Sequence, residues 1–556
     1  MRKAARLALM GVALMLSQGV QAKDKPAARP NILIIMADDL GYSDIGAYGG
    51  EIRTPNLDRL AAGGVRMTHF HSAPSCSPTR AMLLSGADAH VAGLGAMAEG
   101  IPPAMRGREG FEGALSQRVA TLAERFAARG YATLMAGKWH LGQADGQRPA
   151  QRGFQHSYAL LQGAANHFGR GGFSEDPNPL TSATYVEDDK SVTPGTDFYS
   201  SDVYAQKIIA QIGKVGKKTP FFAYLAFTAP HSPLQAPVED IANYRGRYAD
   251  GWHALAQRRM AAMRAKDVLP GTLPMDSASF GPSQQSWDAL TPAQQAVEAR
   301  KAEVYAAMIS RLDANVGKVL TALEKSGQRN NTLILFLSDN GPAGETADRF
   351  SVMPGVADKY AKADNSLAGM GGANSFLFYS PQWSEASSAP SRLFKGFLTE
   401  GGTLVPAIWN YPGLPAGATN ALVGDVRDIA PTLLKLAGVP VENRIGDRKV
   451  AYLEGADILP WLESGKDNRP ITHVAAEFYG QAMVRQGPWK LLRVPAPFGS
   501  GQWQLFNTID DPAERQDRSG DHPDMVAGMK AAWKDYAMRH GLPEAPPSPP
   551  AAGHQH

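Results

Sequence analysis

Four short segments of this chain carry acidic, amide, lysine or histidine side chains, and each follows an apolar run. They are Asp38-Asp39, Lys138-Trp139-His140, Thr228-Ala229-Pro230-His231 and Ser338-Asp339-Asn340. Either acidic pair alone could be a turn or a helix cap. Three carboxylates gathered at one place would repel one another without a cation, and oxygen ligands suit Ca²⁺ or Mg²⁺ rather than a soft metal. The sequence therefore predicts a metal site formed by Asp38, Asp39, Asp339 and Asn340.

The chain has a single cysteine, Cys76, which cannot form an internal disulfide. A lone thiol in an oxidising compartment is either buried and inert or kept for chemistry. Residues 74–80 read PSCSPTR, and Pro78 predicts the first position of a helix, which puts Cys76 at or just before the helix N-terminus. Backbone N–H groups there favour an anion, and Arg80 adds a positive charge. We therefore interpret Cys76 as a reactive residue.

Alternating apolar and helical patterns define the elements that must position these residues. Strands are predicted at residues 31–36, 65–70, 131–136, 221–227, 333–337 and 376–379, and helices at 55–62, 116–129, 203–212 and 304–323. This alternation predicts an α/β fold with a large, mixed, mostly parallel sheet sandwiched by helices. Ligands of such sheets bind beyond the carboxyl ends of the strands. The four polar segments should therefore converge there.

The sequence predicts a leader at one end of the chain, a tail at the other, and two folded parts between them. Residues 1–22 have a basic start, an apolar run too short to span a bilayer comfortably and a small-residue end. They indicate a cleavable signal peptide and a periplasmic or secreted protein without a membrane span after cleavage. A catalytic domain is predicted over 23–465 and a small α+β subdomain over 466–541, with antiparallel strands at 478–484, 489–494 and 502–506. The Pro-rich residues 542–556 predict a disordered tail.

Composition excludes two broad classes of protein. Of 556 residues, 44% are hydrophobic and 20% charged, which is enough apolar material for a large core and too little charge for a disordered chain. Lys and Arg number 56 against 53 Asp and Glu, and Arg2, Lys3 and Arg6 all lie in the leader. The remainder is neutral, so it has no bulk electrostatic attraction for nucleic acid.

The segments above resemble the type I, formylglycine-dependent sulfatases of the alkaline phosphatase superfamily, and bacterial arylsulfatases most closely. Residues 76–80, CSPTR, match the family signature Cys-x-Pro-x-Arg. Further matches follow in family order: Pro30-Asn31 through Asp38-Asp39-Leu40-Gly41, Gly137-Lys138-Trp139-His140, Pro230-His231, Ser338-Asp339-Asn340-Gly341, Lys395 with Thr399-Glu400-Gly401-Gly402, and Asp428-Ile429-Ala430-Pro431-Thr432. The resemblance implies an alkaline-phosphatase-like fold and hydrolysis of sulfate monoesters, with aryl sulfates favoured, to an alcohol or phenol and inorganic sulfate.

The resemblance also implies two cofactors. Asp38, Asp39, Asp339 and Asn340 would bind one Ca²⁺ together with a sulfate oxygen. Cys76 would be oxidised to Cα-formylglycine by a formylglycine-generating enzyme before the chain folds. One hydroxyl of the hydrated aldehyde would attack sulfur, and the covalent sulfate ester would then collapse by elimination.

Five further residues would act on that diol and on the sulfate. Arg80 and Lys138 would hold the diol, and His140 would take a proton from its second hydroxyl. His231 and Lys395 would bind the sulfate, and His231 would donate a proton to the leaving alcohol. Cations suit these positions because negative charge develops on the sulfuryl and leaving oxygens.

Two other functions remain open at this point. A phosphonate monoester or phosphodiester hydrolase could use the same formylglycine on phosphorus. The fold would also accommodate a non-catalytic calcium-binding protein of the cell envelope, because fold does not fix function. The presence of Cys76, Pro78 and Arg80, with both histidines and both lysines, argues against the binding protein. We favour sulfate ester hydrolysis.

Overall fold

The computed structural model describes residues 29–542, except 175–177, 179, 271–272, 274–284, 348–354 and 467–472. The predicted leader, and the predicted tail beyond Leu542, lie outside the described residues. Within the described ranges, no helix has the length and the hydropathy needed to cross a bilayer.

A ten-stranded sheet forms the larger part of the protein. Its strands are β1 (Asn31–Ala37), β2 (Val65–His71), β3 (Ala132–Lys138), β4 (His156–Leu160), β5 (Tyr185–Glu187), β6 (Lys190–Val192), β7 (Phe221–Ala226), β8 (Thr332–Ser338), β9 (Ala407–Asn410) and β10 (Ala418–Asp425). Their order across the sheet is β10-β2-β9-β8-β1-β7-β3-β4-β5-β6. The pairings β10-β2, β8-β1, β1-β7, β7-β3 and β3-β4 are parallel, and the rest are antiparallel. The predicted mixed, mostly parallel sheet is confirmed.

Helices pack on both faces of this sheet, and the last helix of the chain packs against the C-terminal strands instead. They are α1 (Pro55–Ala62), α2 (Cys76–Ser85), α3 (Leu122–Ala127), α4 (Ser200–Lys214), α5 (Val238–Ala242), α6 (Gly251–Ala265), α7 (Pro292–Lys325), α8 (Val356–Lys362), α9 (Pro381–Ser388), α10 (Glu400–Thr403), α11 (Ile429–Leu436), α12 (Leu459–Ser464) and α13 (Pro523–Arg539).

Strand β1 is apolar along its whole length because helices cover both of its faces. All seven of its residues are buried. Successive side chains of a strand point to opposite faces, so they enter two different cores. Leu33 and Ile35 pack in the core that contains α4 and α7, whereas Ile32 and Ile34 pack in the core that contains α2 and α11. An unbroken apolar run is what a strand covered on both faces requires.

The second sheet is antiparallel and C-terminal, as predicted. After a ribbon of β11 (Arg444–Ile445) and β12 (Arg448–Lys449), the chain forms β13 (His473–Phe478), β14 (Gln481–Gln486), β15 (Trp489–Arg493) and β16 (Gln504–Asn507). Apolar side chains of this sheet pack with α13 and with residues 96–111 in one core, and with residues 393–398 in another. The domain boundary between 465 and 466 stays a prediction, and both of these cores include residues from before it.

The prediction of a strand at 376–379 was wrong. Its main chain is extended and buried, but it pairs with loops rather than with a strand. Leu234 N donates to Leu377 O at 2.9 Å, and Glu345 N donates to Tyr379 O at 2.9 Å. An apolar run alone does not distinguish a strand from a buried extended loop.

Two predicted boundaries were also wrong. The helix predicted at 116–129 is only α3, because Thr121 and Glu124 form a capping box that starts the helix at Leu122. The strand predicted at 478–484 is divided between β13 and β14. A tight turn at Tyr479 and Gly480, with φ values of 46° and 84°, reverses the chain there.

Candidate active site

The carboxyl ends of β1 and β8 bring the two acidic pairs together, as predicted. These strands are parallel neighbours with Ala37 opposite Ser338, so the residues that follow them leave the sheet at the same place. Asp39 N donates to Asp339 Oδ1 at 3.2 Å, and Asn340 Nδ2 donates to Asp39 Oδ1 at 2.6 Å. These three side chains are buried, as is that of Asp38.

This acidic group fits a cation. Asn340 Oδ1 is buried and has no hydrogen-bond partner among the described residues, which leaves an oxygen for a ligand. Burial, reinforced by Asp38, raises the pKa of Asp339 to about 6, and a bound cation would relieve that penalty. A closer set of four residues, Asp38, Asp39, Cys76 and His231, could hold the ion. Each offers one ligand atom, and these atoms lie within 4.8 Å of one another. Two of the four predicted ligands belong to this closer set, and Asp339 and Asn340 adjoin it through Asp39.

Two cations from different elements pair with two of the carboxylates. Arg80, in the second turn of α2, donates to Asp339 Oδ2 from Nε at 3.0 Å and from Nη2 at 2.6 Å. Lys138, the last residue of β3, donates to Asp38 Oδ2 at 2.7 Å. Although burial opposes the charge of Lys138, Asp38 raises its pKa above the usual value. Lys138 therefore keeps its charge although it is buried.

Lys395 pairs with the third carboxylate, Asp39. It lies on the loop before α10, and its Nζ is 2.9 Å from Asp39 Oδ2. Burial alone would raise the pKa of Asp39, but Lys395, His231 and Lys138 together hold it well below its usual range. Burial would likewise lower the pKa of Lys395, and Asp39 raises it well above its usual range instead. Of the predicted residues, Lys395 lies on the segment with the weakest pattern, and the structure still brings it into the group.

Cys76 is the first residue of α2 and is buried beside the same carboxylates. Its predicted place at a helix N-terminus is confirmed, although Pro78 is the third helical residue and not the first. The Sγ atom lies 3.4 Å from Asp38 Oδ1. Burial, with Asp339, raises the pKa of the thiol well above its usual range. Unmodified Cys76 is therefore a protonated and weak nucleophile.

His231 lies a few residues after β7 and faces Asp39. Its Nδ1 donates to the Ser232 carbonyl at 2.6 Å, and its Nε2 is 3.5 Å from Asp39 Oδ2. Burial, with the charge of Lys395, lowers the pKa of His231 well below its usual range. The ring is therefore neutral, and its proton is on Nδ1.

The structure connects nine of the ten predicted site residues through hydrogen bonds, ion pairs or the sulfur contact, and the tenth, His140, contacts a residue that was not predicted. His140 Nε2 lies 3.1 Å from Oε1 of Glu99, in the 3₁₀ turn Ala98–Gly100. A second missed residue is Tyr224 in β7, whose hydroxyl accepts from Arg80 Nη1 at 3.3 Å. No local pattern marks either residue, because Glu99 lies in a segment without periodicity and Tyr224 within an apolar strand.

A family model and individual protein sequences both match this chain, and they indicate the same family. The sequence model of the Sulfatase family matches residues 30–439. The chain is 41% identical over 545 residues to an uncharacterized sulfatase of Schizosaccharomyces pombe, covering 94% of this chain and 96% of that protein. It is 37% identical over 454 residues to an arylsulfatase of Klebsiella aerogenes, covering 80% of this chain and 94% of that protein.

Comparison with solved structures gives the same fold. The chain is similar to Ps i-CgsB, solved in complex with k-i-k-neocarrahexaose, with a TM-score of 0.65 and 25% sequence identity. The match covers 93% of this chain and 95% of that one. It therefore spans the ten-stranded sheet and the C-terminal sheet together.

Proposed function

The chain belongs to the sulfatase family, and we propose that it hydrolyses aryl sulfates with a formylglycine at residue 76 and one bound Ca²⁺, after export to the periplasm or the medium. Sulfate ester hydrolysis follows from the family match and from the arylsulfatase relatives. The proposal adds the aryl preference, the two cofactors and the location. Export is supported by the leader-like residues 1–22.

The position of Cys76 is the observation that carries this proposal. It lies in the CSPTR sequence at the N-terminus of α2, with its Sγ against Asp38 and with Arg80 in the next turn. As a buried, protonated thiol it is a poor nucleophile. Formylglycine at residue 76 would supply a hydrated aldehyde as the nucleophile toward sulfur. A formylglycine-generating enzyme would have to act on the chain before it folds, because Cys76 is buried in the folded protein.

The net charge of the site with calcium bound would favour a sulfate ester. The three carboxylates of the group are matched by three cations, Arg80, Lys138 and Lys395. A divalent ion held by Asp38, Asp39, Asp339 and Asn340 would leave two positive charges uncompensated. A sulfate monoester carries one negative charge, so the loaded site would attract it. The buried, unpartnered Oδ1 of Asn340 fits the same ion.

The positions of the other side chains indicate their roles in binding and proton transfer. Arg80 and Lys138 hold the reacting group at residue 76, and Asp339 fixes Arg80 through two hydrogen bonds. Lys395 and His231 bind the sulfate from the Asp39 side. Because the Nδ1 proton of His231 is held by a carbonyl oxygen, Nε2 is the atom that exchanges a proton with the leaving oxygen. Because Nε2 carries no proton in the neutral ring, it must be protonated before His231 can act as the acid.

Turnover of two substrates tests this function against the phosphonate alternative. We expect kcat/KM for 4-nitrophenyl sulfate to exceed that for 4-nitrophenyl phenylphosphonate by about 100-fold or more. Cys76→Ala should abolish both activities. Removal of Ca²⁺ with a chelator should lower kcat, and added Ca²⁺ should restore it. A preference for the phosphonate, or full activity of Cys76→Ala, would contradict the proposal.

A further inference from the structure

His140 is fixed by its surroundings in an uncommon conformation. Its backbone φ is +57°, a left-handed value that residues other than glycine adopt rarely and that often marks functional positions. Its ring also lies where a side chain at residue 163 would be, since a Cβ on Gly163 would approach His140 Cε1 to 2.6 Å. The residue is only 8% exposed. The ring therefore has little freedom to turn.

The two ring nitrogens of His140 have different environments. Nε2 lies 3.1 and 3.3 Å from the two carboxylate oxygens of Glu99. Burial opposes the charge of Glu99, but His140 and Lys138 hold its pKa below the usual value, so it is ionised. An ionised carboxylate only accepts hydrogen bonds, and Nε2 must therefore carry a proton. Nδ1 is buried and has no hydrogen-bond partner among the described residues.

One cavity is lined by this pair and by the residue that follows Cys76. Ser77, Glu99 and His140 line one cavity of about 460 Å³. Ser77 directly follows Cys76 at the start of α2. The carboxylate on Nε2 thus lies on one side of the imidazole, and the free lone pair of a neutral ring is on Nδ1.

We propose that Glu99 is the positioning residue for His140: it keeps the proton on Nε2, so that Nδ1 is the atom that accepts a proton from residue 76. On elimination, the proton of the free hydroxyl of sulfated residue 76 would move to Nδ1, its oxygen would form the C=O bond, and the C–O bond to sulfate would break and release the anion. Glu99 would stabilise the resulting imidazolium without being protonated itself. No bond of Glu99 is made or broken. The inference deepens the proposed function and rests on it, because only formylglycine supplies that hydroxyl.

Kinetics of matched variants test the positioning role. Glu99→Gln keeps the size of the side chain, but its amide can also donate, so it no longer selects the tautomer and cannot balance an imidazolium. We expect kcat for 4-nitrophenyl sulfate to fall by about tenfold or more with a smaller change in KM. Glu99→Asp, which keeps the carboxylate, should recover part of the loss. Glu109→Gln, with a side chain 80% exposed in the same segment, should leave kcat within about twofold.

The tautomer of His140 gives a readout that does not depend on activity. Long-range ¹⁵N–¹H spectra of the protein labelled at histidine, with His140→Gln for assignment, should show the proton of neutral His140 on Nε2 in the wild type and its loss or redistribution in Glu99→Gln. A proton on Nδ1 in the wild type, or kcat of Glu99→Gln within about twofold of wild type, would overturn the proposal. If the wild type lacked sulfatase activity but showed the Nε2 tautomer, the proposed function would fail and the Glu99–His140 geometry would stand.

Discussion

At the scale of single residues, Asp39 is the member of the acidic group with the most partners. It accepts from Lys395 and Asn340, faces His231, and connects to Asp339 through its main chain. Its ionisation depends on these neighbours, because burial alone would raise its pKa. The same neighbours are the residues proposed to hold Ca²⁺ and sulfate. A change at Asp39 should therefore disturb the metal and the anion together.

We predict that Asp39→Asn lowers kcat by about 100-fold or more and weakens Ca²⁺ binding by about tenfold or more. The substitution keeps the size of the side chain but removes the charge that holds Lys395 and a cation. Steady-state kinetics and calorimetric Ca²⁺ titration measure the two effects. Asp535→Asn, on an exposed ion pair of α13, is the matched control and should change neither. Wild-type Ca²⁺ affinity in Asp39→Asn would show that Asp39 is not a ligand.

At the scale of elements, the C-terminal sheet holds the loop that carries Lys395. Gln481 of β14 donates to Gly396 O at 2.7 Å and accepts from Leu398 N at 2.9 Å, so one side chain holds the main chain at two points directly after Lys395. Just after this loop, buried Glu400 at the start of α10 forms ion pairs with Arg485 and Lys490 of the C-terminal sheet and a hydrogen bond with His71. The small sheet therefore contributes to the site without supplying a reacting group.

We predict that Gln481→Met raises KM for an aryl sulfate and weakens inhibition by inorganic sulfate, each by about threefold to tenfold, with a smaller effect on kcat. Methionine has a similar length but leaves the Gly396 carbonyl and the Leu398 N–H without their partner, at a cost of about 1–3 kcal/mol each. Gln486→Met, at the other end of β14, is the control. Unchanged sulfate inhibition in Gln481→Met would mean that Lys395 keeps its position without support from the C-terminal sheet.

At the scale of the whole molecule, a buried histidine joins the larger part to the C-terminal sheet. His90 lies between Asp88, with Nδ1 at 3.3 Å from Oδ1, and Glu477 of β13, with Nε2 at 3.5 Å from Oε2. The rings of Tyr536 and His540 pack against it. Burial alone would lower the pKa of His90, but the two carboxylates raise it to about 9. His90 is therefore charged in the folded protein at neutral pH.

We predict that this charge makes stability fall as pH rises. The folded pKa of about 9 exceeds the unfolded value of 6.5, so the contribution is complete below pH 6.5 and is lost as pH rises through 9. Its size is about 3 kcal/mol. Urea unfolding monitored between these pH values should show the decrease in the wild type and a flatter dependence in His90→Gln. Equal slopes in both proteins would contradict the assignment.

The sequence predicted the parts of the molecule that have a local or motif signal. Continuous apolar runs predicted the strands β1, β7 and β8, and the segments after them contain five of the nine residues that the structure connects, namely Asp38, Asp39, His231, Asp339 and Asn340. The extended segment at 376–379 shows the limit of such runs, because its partners are loops. Glu99, Gln481 and Glu477 were not predicted, since their partners are distant in sequence and no periodicity links them. Long-range polar contacts of this kind depend on the folded arrangement.

The mass of the tryptic peptide from Met67 to Arg80, prepared from protein made in its own host, shows whether residue 76 is a formylglycine. Conversion to formylglycine replaces the sulfur and two hydrogens of Cys76 by one oxygen, so the peptide becomes lighter and no longer reacts with a thiol-alkylating reagent. We expect the lighter, unreactive peptide. Only the intact, alkylated cysteine peptide would contradict the proposed nucleophile and would favour a calcium-binding protein on a sulfatase fold.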